Sequence, residues 1–336
     1  MSIHTSFNDI LGIRFPVLMA PMFLVSNEVM MQAAMDAGIV GAFPSLNFRN
    51  DEELEKVLKN LNAYRKNTKG SYGVNLIVQR SNPLYERHLE ICVTNKVPFF
   101  ITSLGSPQQT IEQAHAYGAK VFCDVTNLEH AKKCAEWQCD GFIAVGQGAG
   151  GHAGPYPLHL LVPSLKKNFP NIPVVAAGGI ANGSGMLASI AAGADGVSIG
   201  TRFIASTEAQ VSDAYKEAII QSGMEDIVMT EKISGTPCNI INTPFAQKIG
   251  YKQNFMERWL SKNKTTRKYF KMLVQLKGLK QLEKAVKPGN YQNLWAAGQS
   301  VELIERVQSC REIIRELEEE LEIAYTSLQQ SFTSKH

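Results

Sequence analysis

The stretch PVVAAGGIANGSGMLASIAAGADGVSIGTRF, residues 173–203, reads as one complete strand–turn–helix–strand unit. An apolar run at 173–177 ends on Gly178-Gly179, a helical stretch follows and closes at Gly193, and a second apolar run at 196–200 leads into Thr201-Arg202-Phe203. Neither run alternates polar with apolar residues, as expected of parallel strands covered on both faces. The same beat recurs upstream in PVLMA (16–20), VGAFPS (40–45), GVNLIV (73–78), PFFITS (98–103), KVFCDV (120–125) and GFIAVG (141–146). Helix signals separate the runs. Ser106-Pro107 with Gln109, and Thr126 with Glu129, read as helix starts, while Gly38, Gly118 and Gly193 stand where a left-handed helix end is wanted. Eight strand–helix units in the first two-thirds of the chain predict an α/β fold, a (β/α)8 TIM barrel, with a C-terminal helical lid or extension. An open doubly wound sheet is the alternative. The barrel is preferred for its unit count, and because Gly178-Gly179 and Gly200 end the seventh and eighth strands, where this fold holds phosphate.

The expected division is a barrel over 1–221, a helical basic insertion or lid over 222–295, and a segment over 296–330 that packs back on the barrel. The 222–295 stretch shows no strand rhythm, whereas 301–324 reads as one helix with Leu303, Ile304, Val307, Ile314, Leu317 and Leu321 on its inner face. Charge is uneven: residues 248–287 carry a local +10 against −7 for the rest of the chain. Hydrophobic residues at 44% and charged ones at 19% exclude global disorder. No apolar run is long enough to cross a membrane, and no secretory signal opens the chain. The six scattered cysteines form no CxxC pair, so they read as reduced thiols of a cytoplasmic protein. No metal-ligand spacing and no nucleic-acid motif is present.

The chemistry falls at strand ends. GQGAGGHAGP (146–155), after the sixth strand, has five glycines and His152, and such a loop brings backbone N–H groups close to a ligand. Gly178-Gly179 approaches a phosphate, the helix from Gly183 aims its N-terminus there, and Gly200, Thr201 and Arg202 add N–H groups, a hydroxyl and a charge. Together these clusters predict a phosphate-bearing ligand. Of the seven histidines, only His152 sits between glycine and alanine on a strand-end loop; the others fit helix surfaces, loops or termini. Its ordinary pKa near neutrality suits proton transfer. Asp124 ends the fifth strand toward the same mouth, with a helix-capping role as its alternative. Cys123 is read as a small core residue.

These residues carry a resemblance. APM (20–22), GVN (73–75), AGGHAG after the sixth strand, AAGGI after the seventh, GTRF after the eighth and WAAGQ (295–299) are similar to motifs of the nitronate monooxygenase family, formerly 2-nitropropane dioxygenases, and the likeness spans roughly residues 8–325. The same set is shared by flavin-dependent enoyl-acyl-carrier-protein reductases and NADH:quinone reductases. The resemblance implies FMN across the barrel top, with Ala20, Pro21 and Met22 along its ring and Asn75 on a polar edge. Gly151, Gly178, Gly179, Gly200 and Thr201 would hold the phosphate, and His152 would stand over the ring as the catalytic residue. The implied reaction oxidises alkyl nitronates with O2 to carbonyl compounds and nitrite. The chain departs from the family at Gly148, where a glutamate is common, at Val145 and at Ala296, where polar residues occur, and these departures bear on substrate preference.

The expected partners are a small-molecule nitronate and O2, with NAD(P)H and a homodimer left open, and no nucleic acid, membrane or metal. The alternative function is an FMN-dependent NAD(P)H reductase of enoyl thioesters or quinones. Two further classes are weighed: a flavin-free sugar-phosphate barrel, which would need a lysine or carboxylate pair at strand ends, and a non-catalytic barrel, which an intact His152 argues against.

Overall fold

The structure is a computed structural model that describes residues 3–79, 81–233, 236–252 and 294–333. Eight parallel strands close into a barrel in the order β1 (Val17–Met19), β2 (Val40–Pro44), β3 (Ser71–Ile77), β4 (Phe99–Ser103), β5 (Lys120–Val125), β6 (Gly141–Val145), β8 (Val174–Ala177) and β9 (Gly196–Ile199). Closure is by β1 against β9, with Leu18 opposite Ser198. Each strand lies within one of the apolar runs or overlaps it by most of its length, so the open-sheet alternative is excluded.

Large rings fill the barrel interior because glycine leaves them room. A side-chain carbon on Gly73 would lie 2.5 Å from the Phe99 ring, and one on Gly196 would lie 2.6 Å from Phe7. Phe7 comes from an N-terminal helix (Ser6–Leu11) that plugs the floor, and its ring meets Phe122 at 5.6 Å. That plug has no signature in the sequence beyond an apolar face one turn long. Gly38, Gly118 and Gly193 do take left-handed φ values of 74°, 85° and 101° at helix ends. Two helix starts shift. Ser106 makes no cap for the helix Gln108–His115, and the helix Leu128–Glu136 is capped by Asn127, whose side chain accepts from His130 N at 2.8 Å, rather than by Thr126.

The C-terminal third departs further from expectation. Residues 227–241 contain an antiparallel pair, β10 (Ile227–Thr230) and β11 (Cys238–Ile241), and β11 also pairs with β7 (Gly151–His152). Strands of four residues leave no readable period. The single helix expected over 301–324 is instead a 3-10 turn (Gln299–Leu303) and a helix, Cys310–Thr333. The break is chemical: Ser309 N donates to Glu312 Oε2 at 2.8 Å and Glu312 N donates to Ser309 Oγ at 3.2 Å, a reciprocal box that starts the helix. Ile314, Leu317 and Leu321 are buried on its inner face, while Leu303 and Val307, ahead of the break, are exposed. The basic stretch lies outside the described residues from 253 onward. No helix among the described residues is long and apolar enough to cross a membrane.

His88 is buried rather than on a helix surface, and neither ring nitrogen has a hydrogen-bond partner among the described residues. Burial pushes its pKa below the ordinary histidine value. The folded chain therefore takes up this proton less readily than the unfolded chain, and stability is lost as pH falls below about 6.5. His88→Leu should raise stability by about 1–3 kcal/mol and flatten this acid limb, as thermal melts at pH 5 and pH 8 would show.

Candidate active site

The carboxyl ends of the strands converge on one mouth. Ala20, Pro21 and Met22 follow β1. Ala20 N donates to Ile199 O at 2.9 Å, and Met22 N donates to Ser26 Oγ at 2.9 Å. This seats the first loop against Gly200, where an added carbon would lie 3.5 Å from Ala20 Cβ and 3.8 Å from Met22 Cγ. The structure thus brings the first and eighth strand ends together.

A polar chain crosses β3, β4 and β5. Asn75 Nδ2 donates to Ile101 O at 3.2 Å and to Ser103 Oγ at 2.8 Å, and Ser103 Oγ donates to Asp124 Oδ2 at 2.5 Å. Ile101 O can only accept, which fixes the orientation of the Asn75 amide. Both amide hydrogens are engaged, so Asn75 presents Oδ1, an acceptor, to any ligand. Asp124 is no helix cap; burial raises its carboxyl to about 6, partly opposed by the Ser103 hydrogen bond. Cys123, one residue earlier, turns away from the mouth. Its Sγ receives Thr102 Oγ1 at 3.2 Å, and the thiol is buried.

The raised Asp124 pKa makes a stability prediction. Between 3.8 and about 6 the folded flavin-free protein binds more protons than the unfolded chain, so the native state weakens as pH rises through that window. Asp124→Asn, which keeps an acceptor for Ser103, should stabilise the flavin-free protein by up to about 3 kcal/mol above pH 7 and by nothing near pH 4. Urea unfolding at both pH values decides it.

The glycine loops build the opposite wall. Gly178 and Gly179 take φ values of 120° and 76°. The loop over Gly178 is tight, since a carbon there would lie 2.7 Å from Ala149 N. Gly179 faces open space, where an added carbon would meet only Gly148 Cα at 3.9 Å. Among the described residues the N–H groups of Gly178, Gly179 and Gly200 have no hydrogen-bond acceptor. Thr201 Oγ1 accepts from Gly298 N at 3.0 Å, which leaves the hydroxyl proton to be donated elsewhere. Three unanswered donors, a directed hydroxyl and a space that one methyl would enter fit a phosphate group.

Two expected contributors are engaged elsewhere. The helix Gly183–Ala191 has its first N–H, on Gly183, donated to Glu320 Oε2 at 2.8 Å. Arg202 is buried with Gln308 and pairs with Glu316 at 3.0 Å, so it fastens the C-terminal helix instead of holding a ligand. Two carboxylates brought from the far end of the chain, Glu320 and Glu316, account for them, which no local pattern announces.

His152 lies on β7, paired with Cys238, and is exposed. Gly151 before it has φ 68° and nothing within 4 Å of an added carbon. Surrounding protein holds the imidazole below the ordinary histidine range, although the open face of the ring moderates the effect. The ring is therefore mostly neutral at pH 7 and able to accept a proton.

Three residues that sequence reasoning missed shape this site. Ser103 links Asn75 to Asp124; as the last residue of the fourth apolar run it could have been found. Asn239 on β11 is buried, and its Nδ2 donates to Gln147 O at 3.0 Å and Ala149 O at 2.8 Å, pinning the glycine loop. Nothing local marks it. Gly298, within WAAGQ, lies so close to Gly148 O and Gly150 N that a side chain there has no room. Gly148 is itself closely packed: a side-chain carbon there would start 3.1 Å from Gly179 Cα.

Known proteins agree with this architecture. The nitronate monooxygenase family profile matches residues 40–320. A probable nitronate monooxygenase of Staphylococcus saprophyticus is 28% identical over 92% of this chain and 95% of its own. The (3aS,4S,5R,7aS)-5-hydroxy-7a-methyl-1-oxo-octahydro-1H-indene-4-carboxyl-CoA dehydrogenase of Rhodococcus jostii is 27% identical over 93% of this chain and 94% of its own. The structure of FabK from Thermotoga maritima superimposes with a TM-score of 0.84 at 29% identity, covering 98% of this chain and all of that one. A match that runs from the second barrel strand into the C-terminal helix, over a closed barrel with its glycine loops in place, establishes that the chain belongs to the nitronate monooxygenase family of oxidoreductases.

Proposed function

We propose that the protein is an FMN-dependent oxidoreductase that converts alkyl nitronates, or the nitroalkanes they come from, into carbonyl compounds and nitrite with O2. The observation that carries this reading is a cradle of unanswered N–H donors on Gly178, Gly179 and Gly200 packed against the glycine loop that carries His152, where an added carbon on Gly178 would lie 2.7 Å from Ala149 N. Bound there, FMN would supply the oxidation of the substrate and the reaction with oxygen. Gly178, Gly179 and Gly200 would hold its phosphate through backbone N–H groups, with Thr201 donating its hydroxyl. Asn75 Oδ1 would accept from a ring N–H, and Ala20, Pro21 and Met22 would line the ring. Asp124 acts through Ser103, which fixes the Asn75 amide. His152 accepts the proton of the carbon next to the nitro group. Gly151 leaves the approach to His152 free of side chain.

A single phosphate cradle supports FMN rather than FAD. Flavin released by heating the purified protein should run as FMN on chromatography. FAD, or no flavin after incubation with excess FMN, would remove the basis of the proposal. The six free, buried cysteines support a reducing cytoplasmic setting, and the 1–221, 222–295 and 296–330 division stands as a working proposal.

A second reading has one observation in its favour, the likeness to a CoA-thioester dehydrogenase over nearly the whole chain. His152 would then move a proton at the carbon next to a thioester carbonyl, with NAD(P)H or its oxidised form as the electron partner. The histidine chemistry is the same, and the electron donor separates the two.

A further inference from the structure

A second concavity lies at the end of the barrel opposite the mouth. Its volume is about 470 Å³, within the range of small-molecule sites. Its walls include Ile10 and Leu11 of the N-terminal plug, Arg65, Ser71, Lys96 and Lys120. Ser71 and Lys120 are the first residues of β3 and β5, the strands that carry Asn75 and Asp124 at their other ends. At 3.3 Å per residue, Ser71 is about 13 Å from Asn75 along the strand, so this pocket is distinct from the mouth.

Two features fit it to an anion. First, its cations are not balanced. Lys120 Nζ pairs with Asp140 at 2.9 Å, but among the described residues Arg65 and Lys96 have no carboxylate partner. Lys96 Nζ lies over the Tyr117 ring, 4.6 Å from its centroid. Second, Ser71 is 3% exposed, and its hydroxyl has no hydrogen-bond partner among the described residues although the residue borders the cavity. Lys96 has a left-handed φ of 52° at the end of its helix, as Gln138 has one of 59° at another. Glycine would take that conformation without strain.

We propose that this pocket binds a small organic anion whose carboxylate or phosphate head sits between Arg65 and Lys96, with the Ser71 hydroxyl donating to it and an apolar body against Ile10 and Leu11. The proposal does not depend on the chemistry at the mouth. Phenyl phosphate, titrated by calorimetry into the flavin-loaded protein, is the probe. It should bind saturably at one site, more weakly as salt rises. Lys96→Gly and Arg65→Gln should each weaken binding at least about tenfold, the effect of losing a charge-assisted contact. Lys96→Gly relieves a left-handed residue, so its melting temperature should be no lower than that of the parent, and both variants should retain their flavin. The proposal is overturned by absence of saturation up to ~10 mM, far above useful affinity. It is equally overturned by binding that both variants leave unchanged, or by competition between phenyl phosphate and substrate at the mouth.

Discussion

His152→Ala should retain its flavin and lose about 10²–10⁴-fold in turnover of a neutral nitroalkane, the usual contribution of a placed general base. The proposed cradle is built of backbone N–H groups and the Thr201 hydroxyl, so the imidazole would not be needed to hold the cofactor. Asn239 fixes the loop that carries His152 through Gln147 O and Ala149 O, and neither contact involves the His152 ring. With a preformed nitronate the loss should be much smaller, because the proton that His152 is proposed to accept has already gone. The pH profile adds a second readout. The pKa of His152 lies below the ordinary 6.5, so kcat/KM of the parent protein on the nitroalkane should rise with pH and level off before neutrality. The variant should lack that step. Equal losses on nitroalkane and nitronate would assign His152 to binding rather than proton transfer.

Gly179→Ala should abolish tight flavin binding while leaving the barrel folded. The residue has φ 76°, so a methyl group there brings backbone strain of about 1–2 kcal/mol. The protein itself offers no clash, since the new carbon would meet only Gly148 Cα at 3.9 Å. It would project into the space assigned to the phosphate, where overpacking costs about 1–3 kcal/mol, or roughly 10–100-fold in affinity. Gly118→Ala is the control: it has φ 85° and open space around it, but lies at the other end of the barrel. It should show the same strain and no loss of flavin. Melting temperatures with fluorescence titration of FMN separate strain from cradle filling. Loss of flavin in both variants, or in neither, would contradict the assignment of Gly179.

What the sequence made legible was periodic or local. All eight barrel strands are apolar runs bounded by turn residues, and they lie close to where those runs predict. Helix ends at Gly38, Gly118 and Gly193 follow from the one residue that takes a left-handed turn without strain. What escaped depends on distant partners. Asn239 reaches Ala149 across 90 residues, Gly298 reaches Thr201 across 97, and Glu320 reaches Gly183 across 137. Glu320 and Glu316 explain why Gly183 and Arg202, well placed by spacing, face the C-terminal helix instead of a ligand. The β10–β11 pair was hidden by its shortness. In each case the missing information was a contact, which neither composition nor period encodes.

The direct test of the central claim is an anaerobic titration of the flavin-loaded protein, followed by absorbance, with an alkyl nitronate, NADH and NADPH in separate cuvettes. The nitronate should bleach the flavin, and air should restore the colour. Bleaching by NADH or NADPH with no response to the nitronate would contradict nitronate oxidation and leave the thioester reading in its place.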